Sequence, residues 1–365
     1  MNGSLDGVKV LDLSRILAGP LAAQTLSDLG ADVLKIEAPW GDDTRRWGPP
    51  FTTGFDGTPV SSYFLSCNRG KRFEFINIKE NTERVRKLIQ EADVVIENFR
   101  AGTLERIFGE LPDDVIICSI TGFGSTGPRA KEGGYDLSLQ ARSGIMSITG
   151  EANGSPSKVG VAWIDVITGL TAVSSILAAL FHKERTGEGQ KIDISLWDCA
   201  ISSLVYQAHN QIVTGDNPGR MGSAHPNLVP YRAFEASDGW FVIAVGNPRQ
   251  WKKLIGLIGL EEKAEWATNE GRINNRVEIE NAVSEIISKQ SRQYWDELLT
   301  DVPSSPVNTV SEALSDPQAV SRGAIWDVNG VLTLASPFRF MSKTPAQPRV
   351  NPVRWDYNIE PKNLQ

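Results

Sequence analysis

Asp165 is the one charged residue in the run VAWIDVITGL, residues 161–170, where a long helix is predicted to begin. An aspartate at the start of a helix often accepts hydrogen bonds from free backbone N–H groups, so an N-cap is the first interpretation. The second is a nucleophile, because the apolar and small residues that follow predict a buried helix that would shield the carboxylate from water. The positive end of the helix would favour the ionised form, which can attack an acyl group. The residues themselves leave both interpretations open.

Other nucleophile and phosphate-binding motifs are absent from the sequence, which contains no GxSxG elbow, no P-loop and no HExxH. The segment GFGSTG, residues 122–127, matches GxGxxG after a predicted strand. Pro128 follows it directly and no helix is predicted there, so we expect a tight turn and not a dinucleotide site. His182 and His209 fit structural positions on helices, whereas His225 lies on a predicted loop and could contact a ligand.

The composition argues against several classes of partner. The net charge is −7 and no run of Lys or Arg is dense enough to follow a phosphate backbone, so nucleic acid is not expected. Cys67, Cys118 and Cys199 lack CxxC spacing and are expected to be buried thiols, with no metal site. The N-terminus has no charged leader, and no stretch reaches the roughly 20 apolar residues of a membrane span. A cytoplasmic protein with no membrane partner is expected.

The first 120 residues alternate between strand-like and helix-like segments. VKVLDLS, LAAQTLSDLG and ADVLKIE form a predicted βαβ unit. The helix NTERVRKLIQEA precedes the strand DVVIENF, and the helix GTLERIF precedes the strand DDVIICSI. The expected fold class is α/β, with a Rossmann-like large domain that contains a parallel sheet and a smaller α+β domain.

Seven segments spread over most of the chain form a recognisable set. They are LDLSRILAGPLAAQTLSDLGADVLKIEAPWGDDTR (11–45), CNRGKR (67–72), ADVVIENFRAGTLERIFG (92–109), SITGFGSTGP (119–128), RTGEGQKIDISLWD (185–198), PYRAFEASDGWFVIAV (230–245) and SSPVNTVSEALSDP (304–317). In this order they resemble the family III CoA-transferases. That family includes formyl-CoA transferase and carnitine CoA-transferase, and it shares its fold with α-methylacyl-CoA racemase.

The resemblance implies that Asp165, in GVAWIDVITG, is the catalytic nucleophile. In the implied mechanism Asp165 attacks the donor thioester and forms an aspartyl mixed anhydride. The released CoA thiolate then forms an aspartyl-CoA thioester, from which CoA passes to the acceptor carboxylate. The implied substrates are a CoA ester and a free carboxylic acid, with no permanently bound cofactor and no metal.

The resemblance also implies a CoA site built from CNRGKR and NFRAGTLER. Lysine and arginine suit its phosphates through charge and, for arginine, through two-pronged hydrogen bonding. The implied CoA-binding residues are Lys71, Arg72, Asn98, Phe99 and Arg106.

The resemblance also implies substrate-binding residues, and this sequence departs from the family pattern at two places. Tyr135 and Leu17 are expected to bind the substrate. A basic residue common in the family is replaced by Ala38, so Arg45 and Arg46 are candidates to compensate. The chain ends in DYNIEPKNLQ, where relatives frequently carry a Gly-Glu-His-Thr tail.

Two alternatives to transfer share the same fold. A racemase needs a base on each face of the carbon beside the thioester. In racemases of this type a GHD motif supplies a histidine, where this sequence has GGYD with Tyr135, and a glutamate stands where Asn247 or Pro248 is found here. The resemblance therefore favours the transferase. A catalytically inactive acyl-CoA binder is the other alternative, and the presence of Asp165 argues against it.

The expected domains are a Rossmann-like CoA-binding domain at residues 1–205, a Gly- and Pro-containing linker at 206–225 and a small domain at 226–305. Residues 306–365 are expected to return to the large domain. The resemblance implies an interlocked homodimer with the active site between the domains of both chains.

Overall fold

The computed structural model describes residues 3–53, 58–328 and 330–339, so the C-terminal segment DYNIEPKNLQ lies outside the described residues. The chain forms two compact units. The first contains the described residues up to Ile145, Val159–His209 and those from Val320 onward, and the second contains Met146–Lys158 and Asn210–Ala319. Residues 146–158, which the sequence analysis placed in the large domain, thus cluster with the second unit. The other domain boundaries stay a prediction.

The first unit contains the parallel sheet expected from the sequence. Its strands in chain order are β1 (Lys9–Asp12), β2 (Asp32–Glu37), β3 (Phe51–Thr53), β4 (Pro59–Ser61), β5 (Arg72–Phe75), β6 (Val94–Glu97), β7 (Ile116–Thr121) and β8 (Lys191–Ser195). The sheet has the order β5–β2–β1–β6–β7–β8, with Val10 opposite both Val33 and Val94. Strands β3 and β4 form a separate antiparallel pair. The parallel sheet is confirmed, and its apolar strands fit a sheet covered on both faces.

The helices of the first unit alternate with these strands. In chain order they are α1 (Ala18–Asp28), α2 (Ser62–Leu65), α3 (Thr82–Glu91), α4 (Thr103–Phe108), α5 (Asp136–Arg142), α6 (Ile145–Ile148), α7 (Trp163–Thr186), α8 (Leu196–Ser202) and α9 (Val205–Thr214); α6 and α9 extend into the second unit. The three helices predicted from LAAQTLSDLG, NTERVRKLIQEA and GTLERIF are confirmed as α1, α3 and α4.

Helix α7 packs closely against α1 at a glycine. A Cβ on Gly169 would lie 2.8 Å from the backbone oxygen of Ala18, so a residue with no side chain is needed for this approach. Ala22, Ala172 and Ile176 are fully buried in the same core cluster. Asp165 lies one helical turn before Gly169 and therefore on the same side of α7. The packing thus fixes Asp165 beside the N-terminal end of α1.

Helix α7 is also long and apolar enough to cross a membrane by length and composition, contrary to the expectation from the sequence. Buried residues of the helix, among them Ile164, Ala172 and Ile176, belong to the core cluster formed with α1 and β7. A core helix can have the same composition as a membrane-spanning one, and α7 packs in the core along one face whereas Leu177 and Phe181 are exposed.

The second unit contains an antiparallel sheet with the order β11–β10–β9. Its elements are β9 (Tyr231–Ala236), β10 (Gly239–Ala244), α10 (Pro248–Ile258), α11 (Asn269–Asn274), α12 (Arg276–Ile287), α13 (Arg292–Leu298), β11 (Ser304–Pro306) and α14 (Val310–Ser315). Phe241, Trp251 and Ile279 are fully buried in its core. The chain continues through α15 (Pro317–Ser321) into a hairpin in the first unit, β12 (Ile325–Val328) and β13 (Val331–Leu334).

Candidate active site

A cleft of about 440 Å³ opens beside the carboxyl ends of β1, β6 and β7, where ligands of parallel α/β sheets usually bind. The segments that follow these three strands supply most of its lining, and α7 supplies Asp165. The polar and aromatic residues of the lining are Arg15, Asn98, Phe99, Arg100, Thr121, Glu132, Tyr135 and Asp165. Folding therefore brings together Asp165, Asn98, Phe99 and Tyr135, four of the residues predicted from the sequence.

Asp165 is the third residue of α7, and the N-cap of this helix is Ala162. The N-cap interpretation of Asp165 is therefore wrong. The helix start is capped from another element, because Asp136 Oδ1 accepts a hydrogen bond of 2.7 Å from the backbone N–H of Ile164. Within the described part of the chain, no hydrogen bond reaches the Asp165 carboxylate. This carboxylate is held in place by its helix and stays available for chemistry.

Burial raises the pKa of Asp165 to about 7, and the nearby charge of Asp136 adds to the effect. The sequence alone predicts that the positive helix end keeps the carboxylate ionised. Desolvation outweighs the helix end because no donor in the described residues replaces the lost water. Near neutral pH the group is divided between its protonated and ionised forms. A carboxylate that ionises near pH 7 in a cleft is a good candidate for a catalytic group.

Tyr63 lies close enough to Asp165 to respond to its charge. Burial first, and then the charge of Asp165, raise the pKa of Tyr63 to about 12. The phenol therefore stays protonated at physiological pH and can donate a hydrogen bond. Its ring packs edge-on against Trp47, with the ring centroids 5.2 Å apart. No sequence motif indicated Tyr63, because its proximity to Asp165 is created by folding.

Lys71, predicted to bind CoA phosphate, belongs instead to a buried ion cluster. Its Nζ donates to Asp12 Oδ2 at 2.9 Å, to the Pro20 backbone oxygen at 2.9 Å and to Asn68 Oδ1 at 2.8 Å, and the residue has no exposed surface. An ammonium group has three protons, and all three are used. In this structure Lys71 has neither surface nor a proton to offer a phosphate, so the geometry favours a structural role, and the phosphate role implied by the resemblance stays a prediction.

The same cluster contains a second buried lysine. Lys35 Nζ lies 3.3 Å from Asp42 Oδ2 and 3.7 Å from Asp12 Oδ2, with all three side chains buried. Burial by itself would raise the pKa of Asp12, but the ammonium groups of Lys35 and Lys71 hold this pKa below its ordinary value. Burial also disfavours the charged form of Lys35, but the charges of Asp12 and Asp42 raise the pKa of Lys35 above its ordinary value. Two lysines and two aspartates therefore compensate one another under the loop that follows β1.

Three further predicted residues lie outside the cleft lining. Arg72 pairs with Asp32 through bonds of 3.0 and 2.9 Å, and Arg106 is exposed on α4. Leu17 is the N-cap of α1, between the lining residues Ile16 and Ala18. The phosphate and substrate roles implied for these residues by the resemblance stay predictions.

Arg45 and Arg46 are the candidates to replace the basic side chain that is missing at Ala38, and they differ in whether a ligand can reach them. Arg45 is buried, and its guanidinium bonds both oxygens of Glu37 at 2.6 Å. It also lies over the Phe64 ring, 3.8 Å from the centroid. Arg46 is exposed and pairs loosely with Asp43 at 3.6 Å. Of the two, Arg46 alone is accessible to a ligand.

Arg15, Arg100 and Asp136 are site residues that the sequence analysis missed. Arg15 and Arg100 each stand three residues after the ends of β1 and β6, so the predicted strand ends indicate both positions. Asp136 stands beside Tyr135 in the GGYD motif, but its bond to Ile164 required the fold to be known. The described residues contain no cluster of His, Cys, Asp and Glu suited to a metal ion.

The chain is similar to known proteins over most of its length. The model of CoA-transferase family III matches residues 5–353. A succinate–glutarate CoA-transferase from Agrobacterium fabrum is 44% identical, and the match covers 87% of this chain and 84% of the relative. A human succinyl-CoA:glutarate CoA-transferase is 39% identical, and the match covers 89% of this chain and 76% of the relative. The crystal structure of a CAIB/BAIF family protein from Brucella suis has 45% identity and a TM-score of 0.84, with 93% of each chain covered. The chain therefore belongs to CoA-transferase family III and is an enzyme of that family.

Proposed function

We propose that this enzyme transfers CoA from an acyl-CoA to a free carboxylic acid through covalent intermediates on Asp165. The observation that carries the proposal is the state of this carboxylate: it lines a cleft, it has a pKa of about 7, and among the described residues it has no hydrogen-bond donor. Such a group retains its nucleophilicity when it ionises.

The proposed steps balance without a cofactor. An Asp165 oxygen attacks the thioester carbonyl, the carbon–sulfur bond breaks, and a mixed anhydride and CoA thiolate result. The thiolate attacks the aspartyl carbonyl and releases the donor acid as its carboxylate, which leaves an aspartyl-CoA thioester. The acceptor carboxylate attacks this thioester to form a new anhydride, and the thiolate then takes the acceptor acyl group and frees Asp165. Each step exchanges one activated acyl group for another, so no external energy source is needed.

We further propose dicarboxylic acids as the substrate class. The similar proteins from Agrobacterium fabrum and human are named for succinate and glutarate. An acyl group of this kind carries a second carboxylate, which needs a cation near the nucleophile. Arg15 and Arg100 line the same cleft as Asp165. Their charges support a substrate with a negative group remote from the thioester.

A homodimer, interlocked as the resemblance implies, is also part of the proposal. On α7 the side chains of Leu177 and Phe181 are exposed, and no residue of α9 is buried. On α9 Tyr206 and Val213 are exposed as well. Exposed apolar helix faces are typical of protein interfaces. Sedimentation should find a dimer that Phe181→Glu weakens, whereas Val320→Glu, at an equally exposed valine on α15, should leave it intact. The expected cytoplasmic location stays a prediction.

The racemase alternative lacks a base at both positions where the resemblance places one. Tyr135 stands in GGYD where the resemblance implies a histidine in racemases, and Asn247 caps α10 by accepting a hydrogen bond of 3.0 Å from the Gln250 backbone. Neither is a base at neutral pH.

Trapping of the covalent intermediate tests the mechanism. The wild-type enzyme is incubated with succinyl-CoA and hydroxylamine, digested, and searched for a hydroxamate by mass spectrometry. We expect it on the peptide that contains Asp165, and we expect Asp165→Asn to lose turnover by several orders of magnitude while it stays folded. Asp198→Asn, at an exposed aspartate in the first turn of α8, is the matched control and should retain turnover. Trapping at another residue, or normal turnover of Asp165→Asn, would refute the mechanism.

A further inference from the structure

Ser14, Arg15 and Ile16 are consecutive residues of the β1–α1 loop, and Arg15 and Ile16 line the cleft. Ile16 has a φ angle of 73°, in the left-handed region that a β-branched side chain rarely adopts. Such a conformation persists only where surrounding contacts impose it, and it recurs at active sites. The groups that impose it on Ile16 are therefore candidates for a functional role.

All six backbone N–H and C=O groups of these three residues are hydrogen-bonded to side chains. Backbone groups usually bond to other backbone groups or to water, so a loop held wholly by side chains is uncommon. In chain order, the three N–H groups donate to Asp12 Oδ1 (3.0 Å), Asn98 Oδ1 (2.9 Å) and Asp42 Oδ2 (3.3 Å). In the same order, the three carbonyl oxygens accept from Lys35 Nζ (2.6 Å), Asn98 Nδ2 (2.8 Å) and Cys67 Sγ (3.6 Å).

Asn98 has a distinct part in this arrangement because it bonds both backbone groups of Arg15. Its amide oxygen accepts from the Arg15 N–H, and its amide nitrogen donates to the Arg15 carbonyl oxygen. A carboxamide supplies an acceptor and a donor side by side on one carbon, which suits the N–H and C=O of a single residue. The resemblance implies that Asn98 binds CoA directly, but here both polar atoms of its side chain are used on the loop.

We propose that Asn98 is a positioning residue, which holds Ser14–Ile16 in the strained conformation and thereby fixes this wall of the cleft relative to Asp165. The proposal depends on the proposed function for its catalytic readout. Asn98 acts through the Arg15 backbone and not on substrate. Its loss should therefore lower the fraction of enzyme with a competent loop, which reduces kcat, whereas loss of a direct CoA contact would raise the KM for the CoA ester.

A double-mutant cycle between Asn98 and Ile16 tests this. Glycine adopts a φ of 73° without steric cost, so Ile16→Gly removes the strain that Asn98 opposes. We expect Asn98→Ala to lower kcat by about tenfold or more in the wild-type background, and by less than about threefold in the Ile16→Gly background. An equal factor in both backgrounds, or a rise in the KM for the CoA ester with unchanged kcat, would overturn the proposal.

A matched control is available in Asn81, the N-cap residue of α3, which donates to the Asn77 backbone oxygen at 3.0 Å and lies outside the cleft lining. Asn81→Ala should leave kcat unchanged. A comparable loss of kcat in this variant would show that any such truncation has the effect, and would also overturn the proposal.

Hydrogen exchange gives a readout that does not depend on CoA transfer. We expect the peptide that contains Ser14–Ile16 to exchange faster in Asn98→Ala than in the wild type, and at the wild-type rate in Asn81→Ala. If the wild-type enzyme transfers no CoA, the proposed function fails while the exchange still decides whether Asn98 holds the loop. If transfer occurs but this peptide exchanges at the same rate with and without Asn98, the positioning role is refuted.

Discussion

Asp136 Oδ1 accepts a hydrogen bond of 2.7 Å from the backbone N–H of Ile164, the residue directly before Asp165. One carboxylate thus caps the helix that carries the other. Gln140 Nε2 donates to the second oxygen of Asp136 at 2.6 Å, which keeps Asp136 in this orientation. The same charge that stabilises the helix start opposes ionisation of Asp165, so Asp136 influences both the position and the pKa of the proposed nucleophile.

We predict that the pH profile shifts in Asp136→Asn. Asparagine keeps an oxygen for the Ile164 N–H but removes the negative charge beside Asp165, so the pKa of Asp165 should fall. The acidic limb of kcat/KM against pH should therefore move to lower pH than in the wild type. Asp198→Asn is the control, and its acidic limb should lie at the same pH as that of the wild type. An unchanged limb in Asp136→Asn would mean that Asp136 does not act on Asp165 through charge.

We predict that wild-type kcat/KM rises with pH through about 7, because Asp165 must be ionised to attack and its pKa is about 7. Below this value the protonated form should dominate, and the rate should fall tenfold per pH unit. A profile that is flat from pH 5 to 8 would show that ionisation of Asp165 does not limit the reaction.

We predict that Asp165→Asn is more stable than the wild type at alkaline pH. The unfolded pKa of an aspartate is about 3.9 and the folded value here is about 7, so the unfolded state loses its proton first. The stability that Asp165 contributes is therefore present below about pH 4 and is lost as pH rises through 7. Thermal unfolding at pH 8 should show a gain of up to about 4 kcal/mol for the variant, because about 3 pKa units separate the folded and unfolded states. The gain should vanish near pH 4, and a gain that is independent of pH would contradict the explanation.

We predict that Lys71→Met destabilises the fold and does not selectively weaken CoA binding. Removing Lys71 leaves Lys35 as the one ammonium group of the cluster for both Asp12 and Asp42, so one buried negative charge is uncompensated, which costs about 3–5 kcal/mol. Denaturant unfolding measures the loss. Arg72→Met, at an exposed pair with Asp32, is the control and should cost less than about 1 kcal/mol. A stable Lys71→Met protein with a raised KM for the CoA ester would restore the phosphate role for Lys71.

We predict that Gly169→Ala lowers both stability and kcat, because its Cβ would lie 2.8 Å from the Ala18 oxygen and would push α7 away from α1. Gly256→Ala is a matched control within α10, since nothing lies within 4 Å of a Cβ there. That change should stabilise the protein by about 0.5–1 kcal/mol and leave kcat unchanged. Equal effects of the two substitutions would show that the α1–α7 contact does not fix Asp165.

The sequence by itself determined the order of strands and helices in the first 120 residues. Apolar strand patterns and amphipathic helices are local properties, so VKVLDLS, ADVLKIE and NTERVRKLIQEA indicated their elements directly. Asp165 is also visible locally, because it is a charged residue among apolar neighbours, and this pattern indicated a candidate catalytic residue.

Tertiary structure decided how the charged and polar side chains are used. Lys71 and Asn98 both come from segments that the resemblance linked to CoA, yet folding buries the ammonium of Lys71 beside Asp12 and directs the amide of Asn98 to the Arg15 backbone. Their partners lie 59 and 83 residues away in sequence, respectively. A local pattern records whether a residue is charged or polar, but burial and hydrogen-bond partners depend on which distant segments the fold places around it, and these set the pKa and the role of the group.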